Sequence, residues 1–96
     1  MEELECRYDT RQSFYGKAKV EKIEASNGYQ ICLYSYETLV AMITYTKSIK
    51  QKRYDYYGRY SQTTTRHQKE FFKQNGLSDK EIKELFKKGN LIKEEI

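Results

Sequence analysis

The chain has no proline and no tryptophan, a single histidine, two cysteines and five glycines in 96 residues, and each shortage removes a class of explanation. Cys6 and Cys32 are too few for a disulfide framework and lack the CxxC or Cys/His spacing that holds zinc. The one histidine, His67, has Phe71 four residues on, which places it on the apolar side of a helix, where a hydrogen bond to the sheet or to a backbone carbonyl is its expected role. General acid–base and nucleophilic chemistry need such a group held beside a partner in a pocket, and no spacing here supplies one. The carboxylates are scattered among lysines without an HExxH or DxDxDG pattern, and Gly16 and Gly58 stand alone, so no glycine-rich phosphate loop is present. Neither enzyme activity nor a cofactor, metal or small-molecule substrate is expected. No apolar run approaches the length a bilayer needs, and Met1-Glu2-Glu3-Leu4-Glu5 opens acidic, unlike a signal peptide. The expectation is a soluble protein in the cytoplasm of a bacterial host, without membrane contact.

Without proline, internal repeats or low-complexity tracts, residues 1–96 read as a single domain. An N-terminal arm or edge strand covers 1–12, an antiparallel sheet 13–60, and a helical part 61–96. Ten tyrosines and four phenylalanines supply the bulk of a thin, aromatic core. Net charge is +4, unevenly placed: residues 1–45 hold five Lys/Arg against seven Asp/Glu, residues 46–75 hold eight against two, and residues 76–96 hold five against five. A basic block of that kind attracts phosphates or an acidic protein surface.

Alternation from Ser13 to Ala25 predicts a half-buried strand with Phe14, Ala18 and Val20 on one side. Asn27-Gly28 predicts a tight I′ hairpin, with Tyr29–Tyr36 returning as its partner. Thr38–Thr46 is the most apolar segment and predicts a central strand. After a charged hairpin, Lys47–Arg53, a fourth strand runs from Arg53 to Tyr60, with Tyr54, Tyr56 and Tyr60 inward and Arg53, Asp55, Tyr57 and Arg59 outward. Ser61 and Thr63–Thr65 offer N-caps for a helix over 64–75 that closes at Gly76. Ser78-Asp79-Lys80-Glu81 is a capping box for a second helix ending near Gly89. The fold class is therefore α+β, a four-stranded antiparallel sheet followed by two C-terminal helices packed on one face.

Arg66, Lys69 and Lys73 fall on the helix face opposite Phe71 and Phe72. With Arg53, Tyr57 and Arg59 of the fourth strand and Lys47, Lys50 and Lys52 of the hairpin, they predict one connected basic surface for partner binding. An ordinary solvated face is the alternative, because Asp55 and Glu70 interrupt the block. The tyrosines invite comparison with sheet surfaces that stack RNA bases, although the RNP1 pattern is absent; Tyr34, Tyr36 and Tyr57 are the ones placed for contact.

Three segments carry a resemblance: Ser13-Phe14-Tyr15-Gly16-Lys17-Ala18, Leu33-Tyr34-Ser35-Tyr36-Glu37-Thr38-Leu39-Val40-Ala41, and Tyr60-Ser61-Gln62-Thr63-Thr64-Thr65-Arg66-His67 with Phe71. They resemble short proteins carried by phages and conjugative plasmids of Gram-positive bacteria, the Y-S-x-T-T-x-R-H stretch being the most specific part. Many such relatives are shorter before that motif and carry Trp near Tyr60, so the long basic hairpin is a departure. The chain is also similar to small type II-A anti-CRISPR proteins, which inhibit Cas9. The resemblance implies a partner, Cas9 or the Cas9–guide RNA complex, with direct contact to guide RNA as one route. It implies no catalytic residue; Thr63, Thr64, Arg66 and His67 of the motif fit a role in capping and docking the first helix. The positive charge argues for interference with guide RNA loading or with the assembled complex rather than imitation of target DNA. A basic nucleic-acid-binding accessory protein of a mobile genetic element is the alternative.

Overall fold

The computed structural model describes residues 1–10, 13–58 and 61–94. In chain order the elements are β1 (Glu2–Glu3), β2 (Ala18–Ala25), β3 (Gly28–Ser35), β4 (Thr38–Thr46), β5 (Gln51–Tyr56), α1 (Gln62–Gln74), α2 (Asp79–Lys88) and β6 (Asn90–Glu94). The α+β class and the antiparallel sheet stand, but the sheet has six strands, in the order β1-β2-β3-β4-β5-β6. The expected four lacked β6, which leaves α2 at Gly89 and pairs antiparallel with β5; β1, a two-residue strand beside β2, falls in the segment 1–12 expected as an arm or edge strand. The helices therefore do not end the chain. They fill the connection between two neighbouring strands.

Registers explain the packing. Ile31, Ile43, Tyr54 and Leu91 pair in one row across β3 to β6, and Leu33, Ala41 and Tyr56 in the next. Paired residues share a sheet face, so these rows form one apolar surface. Both helices cover it: Phe72 of α1 lies edge-on to Tyr54 at 6.4 Å, and Phe86 of α2 stacks on Tyr56 at 4.3 Å between ring centroids. Phe71, Phe72, Leu77, Ile82 and Leu85 complete the core from the helical side. A β-bulge at Leu33/Tyr34 leaves Val40 without a strand partner, and Val40 and Ala41 are consecutively buried. The Val40 carbonyl accepts instead from Tyr57 N and from Gln68 Nε2 of α1.

Local signals set the helix ends. Ser61 Oγ accepts from Thr64 N and starts α1, two residues earlier than the expected 64; Gly76, at φ 91°, follows its last turn. The capping box at Ser78 and Glu81 starts α2, and Gly89 ends it in the left-handed region. The β2–β3 hairpin forms, but its turn residues are Ser26 and Asn27, not Asn27-Gly28. Gly28 opens β3 at φ 145°, where a Cβ would stand 1.8 Å from the Tyr45 carbonyl oxygen, so close approach of β4 is what requires glycine. Asn27 ties this turn to the next one through Ser48, whose N–H donates to Asn27 Oδ1 at 3.0 Å. Tyr60, expected in the core, and Arg59 lie outside the described residues.

Candidate functional site

The strand positions between the core residues point to the opposite face of the sheet, and no described element covers it. Lys19 and Glu21 of β2, Cys32 and Tyr34 of β3, and Leu39 and Met42 of β4 lie there by register. Arg53 and Asp55 of β5 continue it, with Tyr57 just beyond the strand and Ile92 on β6. Tyr34, Leu39 and Met42 are half-buried by their neighbours alone, while Tyr57 is 41% and Ile92 50% exposed. This face is aromatic and apolar at its centre and carries both signs of charge: Arg53 Nε pairs with Asp55 Oδ1 at 2.9 Å, and Lys19 stands beside Glu21 on alternate positions of β2.

The ionisable groups at its centre are held neutral. Burial, with Glu21 adding to it, pushes the Cys32 thiol up, which favours its protonated form at neutral pH. Burial raises the Tyr57 phenol, with Asp55 and Cys32 reinforcing the shift and Arg53 opposing it. Tyr34 is raised for the same leading reason, with Cys32 and Glu21 behind it. Both tyrosines thus present neutral rings with a hydroxyl donor, the form suited to contact with a partner. At the corner where β2 and β3 meet the β3–β4 turn, a cleft of about 680 Å³ opens between Met1, Gly16, Lys17, Lys19, Tyr34, Tyr36 and Glu37.

Among the described residues, the basic ones singled out from the sequence are divided between the two faces of the sheet and its β4–β5 turn. Lys47 and Lys50 are exposed on a single 3-10 turn and its left-handed end between β4 and β5. Lys52 falls within β5 and, pairing with Tyr45 and Lys93, sits on the helix-side face; Arg53, its neighbour, points to the open one. Adjacent strand residues face opposite ways, so one run of basic sequence is divided between two surfaces. Arg66 and Lys69 are exposed on the outer side of α1, and Lys73 is half-buried with Nζ 3.0 Å from Asp79 Oδ1. The whole sheet separates these three from Arg53 and Tyr57. Of the tyrosines placed for contact, Tyr34 and Tyr57 do lie on the open face, and Tyr36 lies at its corner cleft.

One arrangement has nucleophile–base geometry. Ser35 Oγ is 2.8 Å from His67 Nδ1 and 2.9 Å from Thr64 Oγ1. Both Ser35 and His67 are shut off from solvent, at 2% and 0% exposure, so no substrate reaches the hydroxyl. The group docks α1 on β3, which accounts for Thr64 and His67 of the Y-S-x-T-T-x-R-H stretch; Ser61 caps the helix and Arg66 faces outward. Glu70, 2% exposed, works similarly on the N-terminal arm: its Oε1 accepts from Tyr8 N at 2.8 Å and Asp9 N at 2.9 Å, and its Oε2 from Gln74 Nε2. Among the described residues no group of three His, Cys, Asp or Glu could hold a metal ion, and no helix is long and apolar enough to cross a membrane.

Leu39, Met42 and Cys32 were not singled out as site residues. Their signal was the alternation inside Thr38–Thr46, which the bulge at Val40 interrupts. No curated protein and no solved structure matches the chain. The sequence profile of a family of unknown function, DUF8033, matches residues 2–88, and the chain belongs to that family.

Proposed function

We propose that this protein acts by binding a macromolecular partner through the open face of its sheet, and that the partner is Cas9 or the Cas9–guide RNA complex, inhibited by occupation of a surface. The observation that carries the binding reading is an uncovered face with Tyr34, Leu39, Met42 and Tyr57 at its centre, while Thr64 and His67 of the motif dock α1 and Ser61 caps it. Tyrosine, methionine and arginine are enriched where protein interfaces concentrate their affinity, and the balanced charge of this face suits a protein surface better than a phosphate backbone. The choice of Cas9 comes from the resemblance to small type II-A anti-CRISPR proteins. The same balance makes imitation of target DNA by clustered carboxylates a poor fit, and interference with guide loading or with the assembled complex remains the mechanism.

Purified protein should retain Cas9 in a pull-down and should inhibit DNA cleavage more strongly when mixed with Cas9 before guide RNA than after. Equal inhibition in both orders, with direct competition against a PAM-containing duplex, contradicts the loading mechanism. No retention of Cas9, with or without guide, removes Cas9 as the partner.

A further inference from the structure

Among the described residues, four that are not glycine adopt a positive φ, and three of them, Tyr15 (52°), Tyr36 (50°) and Glu37 (69°), lie in two turns at one corner of the sheet. The turns are bonded to each other, Tyr36 N donating to the Lys17 carbonyl at 2.9 Å. Glycine and asparagine take this conformation at little cost; tyrosine and glutamate do not. A two-residue β3–β4 hairpin with both central φ values positive is built most easily from Asn-Gly, yet Tyr36-Glu37 stands there. The Tyr36 ring leans on His67 at 5.9 Å and leaves 52% of the residue exposed, and strain kept at such a side chain marks one whose position matters.

What that strain positions is the wall of the corner cleft. Tyr34 and Tyr36 offer ring surface, and Lys17 and Lys19 are exposed and make no ion pair among the described residues. The volume, about 680 Å³, lies in the range of clefts that take a small ligand. Aromatic rings beside unpaired ammonium groups match a flat π-system that carries a phosphate. Glu37 in the wall and the Glu3 carboxylate against Gly16 limit the net positive charge, which fits one phosphate between two lysines and not the dense charge of a duplex.

We propose that this cleft binds one unpaired nucleotide of a single-stranded nucleic acid, its base against Tyr34 and Tyr36 and its phosphate held by Lys17 and Lys19. The base must be free of a duplex to reach the rings. The site differs from the basic residues of α1 and of the β4–β5 turn, and it stands whether or not Cas9 is the partner.

Fluorescence anisotropy with labelled mixed-sequence RNA and DNA strands of about eight nucleotides, beside a duplex of the same length, tests it in the full chain. Single strands should bind better than duplex, with log K falling against log[salt] at a slope between about −0.7 and −1.4. Changing Lys17→Gln and Lys19→Gln together should flatten that slope. Tyr36→Asn should lower affinity by at least about tenfold, as loss of a stacking ring does, in protein whose circular dichroism shows it folded, because asparagine relieves the turn but the change also removes the ring from His67. Lys80→Gln with Lys83→Gln, exposed on α2, should change nothing. Duplex bound as tightly as single strand, no single-strand binding at about 50 mM salt, or affinity unmoved by Tyr36→Asn and by the Lys17/Lys19 pair would each overturn the proposal.

Discussion

The two faces of the sheet treat their polar groups in opposite ways. On the helix side Ser35, Thr64, His67, Gln68 and Glu70 are buried, and each makes a defined bond to a strand, a helix or the N-terminal arm. On the open side aromatic and apolar side chains stay half exposed, and Arg53 and Asp55 pair with each other. Burying a polar group without a partner costs far more than leaving it in water, so the first face fixes one structure. The second contributes little to stability and is free to be recognised. Stability and binding should therefore separate cleanly under mutation.

The largest effect expected on the helix side is at Phe72, fully buried and in ring contact with Tyr54, Phe71 and Phe86. Phe72→Ala should cost about 3–5 kcal/mol, enough to unfold much of a small domain, as denaturant titration would register. A loss below about 1 kcal/mol would show a core that re-collapses and would blur the contrast between the faces. Glu70→Ala should cost about 1–3 kcal/mol by leaving the Tyr8 and Asp9 N–H groups unpaired. Hydrogen exchange is the discriminating readout, because those two amides should lose protection while the strands keep theirs.

Glu81 gives a smaller, pH-dependent effect. Its bond from the Ser78 N–H, then that from Lys93, hold its carboxyl below the ordinary value of 4.5. A carboxyl that binds its proton less tightly when folded adds stability that is fully present above about pH 4.5 and is lost as pH falls through the lower folded value. Glu81→Gln keeps the capping box and should cost up to about 1 kcal/mol at neutral pH while making unfolding less acid-sensitive; an unchanged acid profile would mean that the charge of Glu81 adds nothing through Lys93 or the Ser78 N–H. At the other end of the scale, the Tyr56 hydroxyl is buried with no hydrogen-bond partner among the described residues. Tyr56→Phe should be neutral or stabilising by up to about 1 kcal/mol, and a clear loss of melting temperature would assign that hydroxyl a partner.

These contrasts follow how far each feature could be read from sequence. Helix ends depend on residues within one turn of each other, and Ser61, Gly76, Ser78 and Gly89 marked them. Alternation marked β2 and β5 with the inward Tyr54 and Tyr56, the Asn-Gly signal β3 and apolar content β4, although β2 starts at Ala18 and not Ser13, and β5 spans Gln51–Tyr56 and not Arg53–Tyr60. β6 escaped because Asn90–Glu94 is short and half polar and becomes a strand only by pairing with β5, Leu91 opposite Tyr54. β1 depends in the same way on Val20 and Lys19. The Asn27-Gly28 signal named the right hairpin for the wrong reason: Gly28 answers to Tyr45 across the sheet, not to its own turn. Basic residues clustered in sequence but not in space, because strand alternation sends Lys52 and Arg53 to opposite faces and the sheet stands between Arg53 and α1. The open face was half legible, in Tyr34 and Tyr57. Leu39 and Met42 lie in the most apolar segment, and only the placement of both helices on one side of the sheet leaves them on the open face.

Calorimetric titration of Cas9 with two variants, each checked for an unchanged melting temperature, tests most directly whether the open face is the contact surface. Met42→Arg alters the centre of that face; Arg66→Glu with Lys69→Glu reverses the exposed side of α1. The account predicts a loss of at least about tenfold for Met42→Arg, in the range of interface hot spots, and less than about twofold for the α1 pair. Full affinity in Met42→Arg together with lost affinity in the α1 pair would contradict it and return the interface to the basic face of the helix.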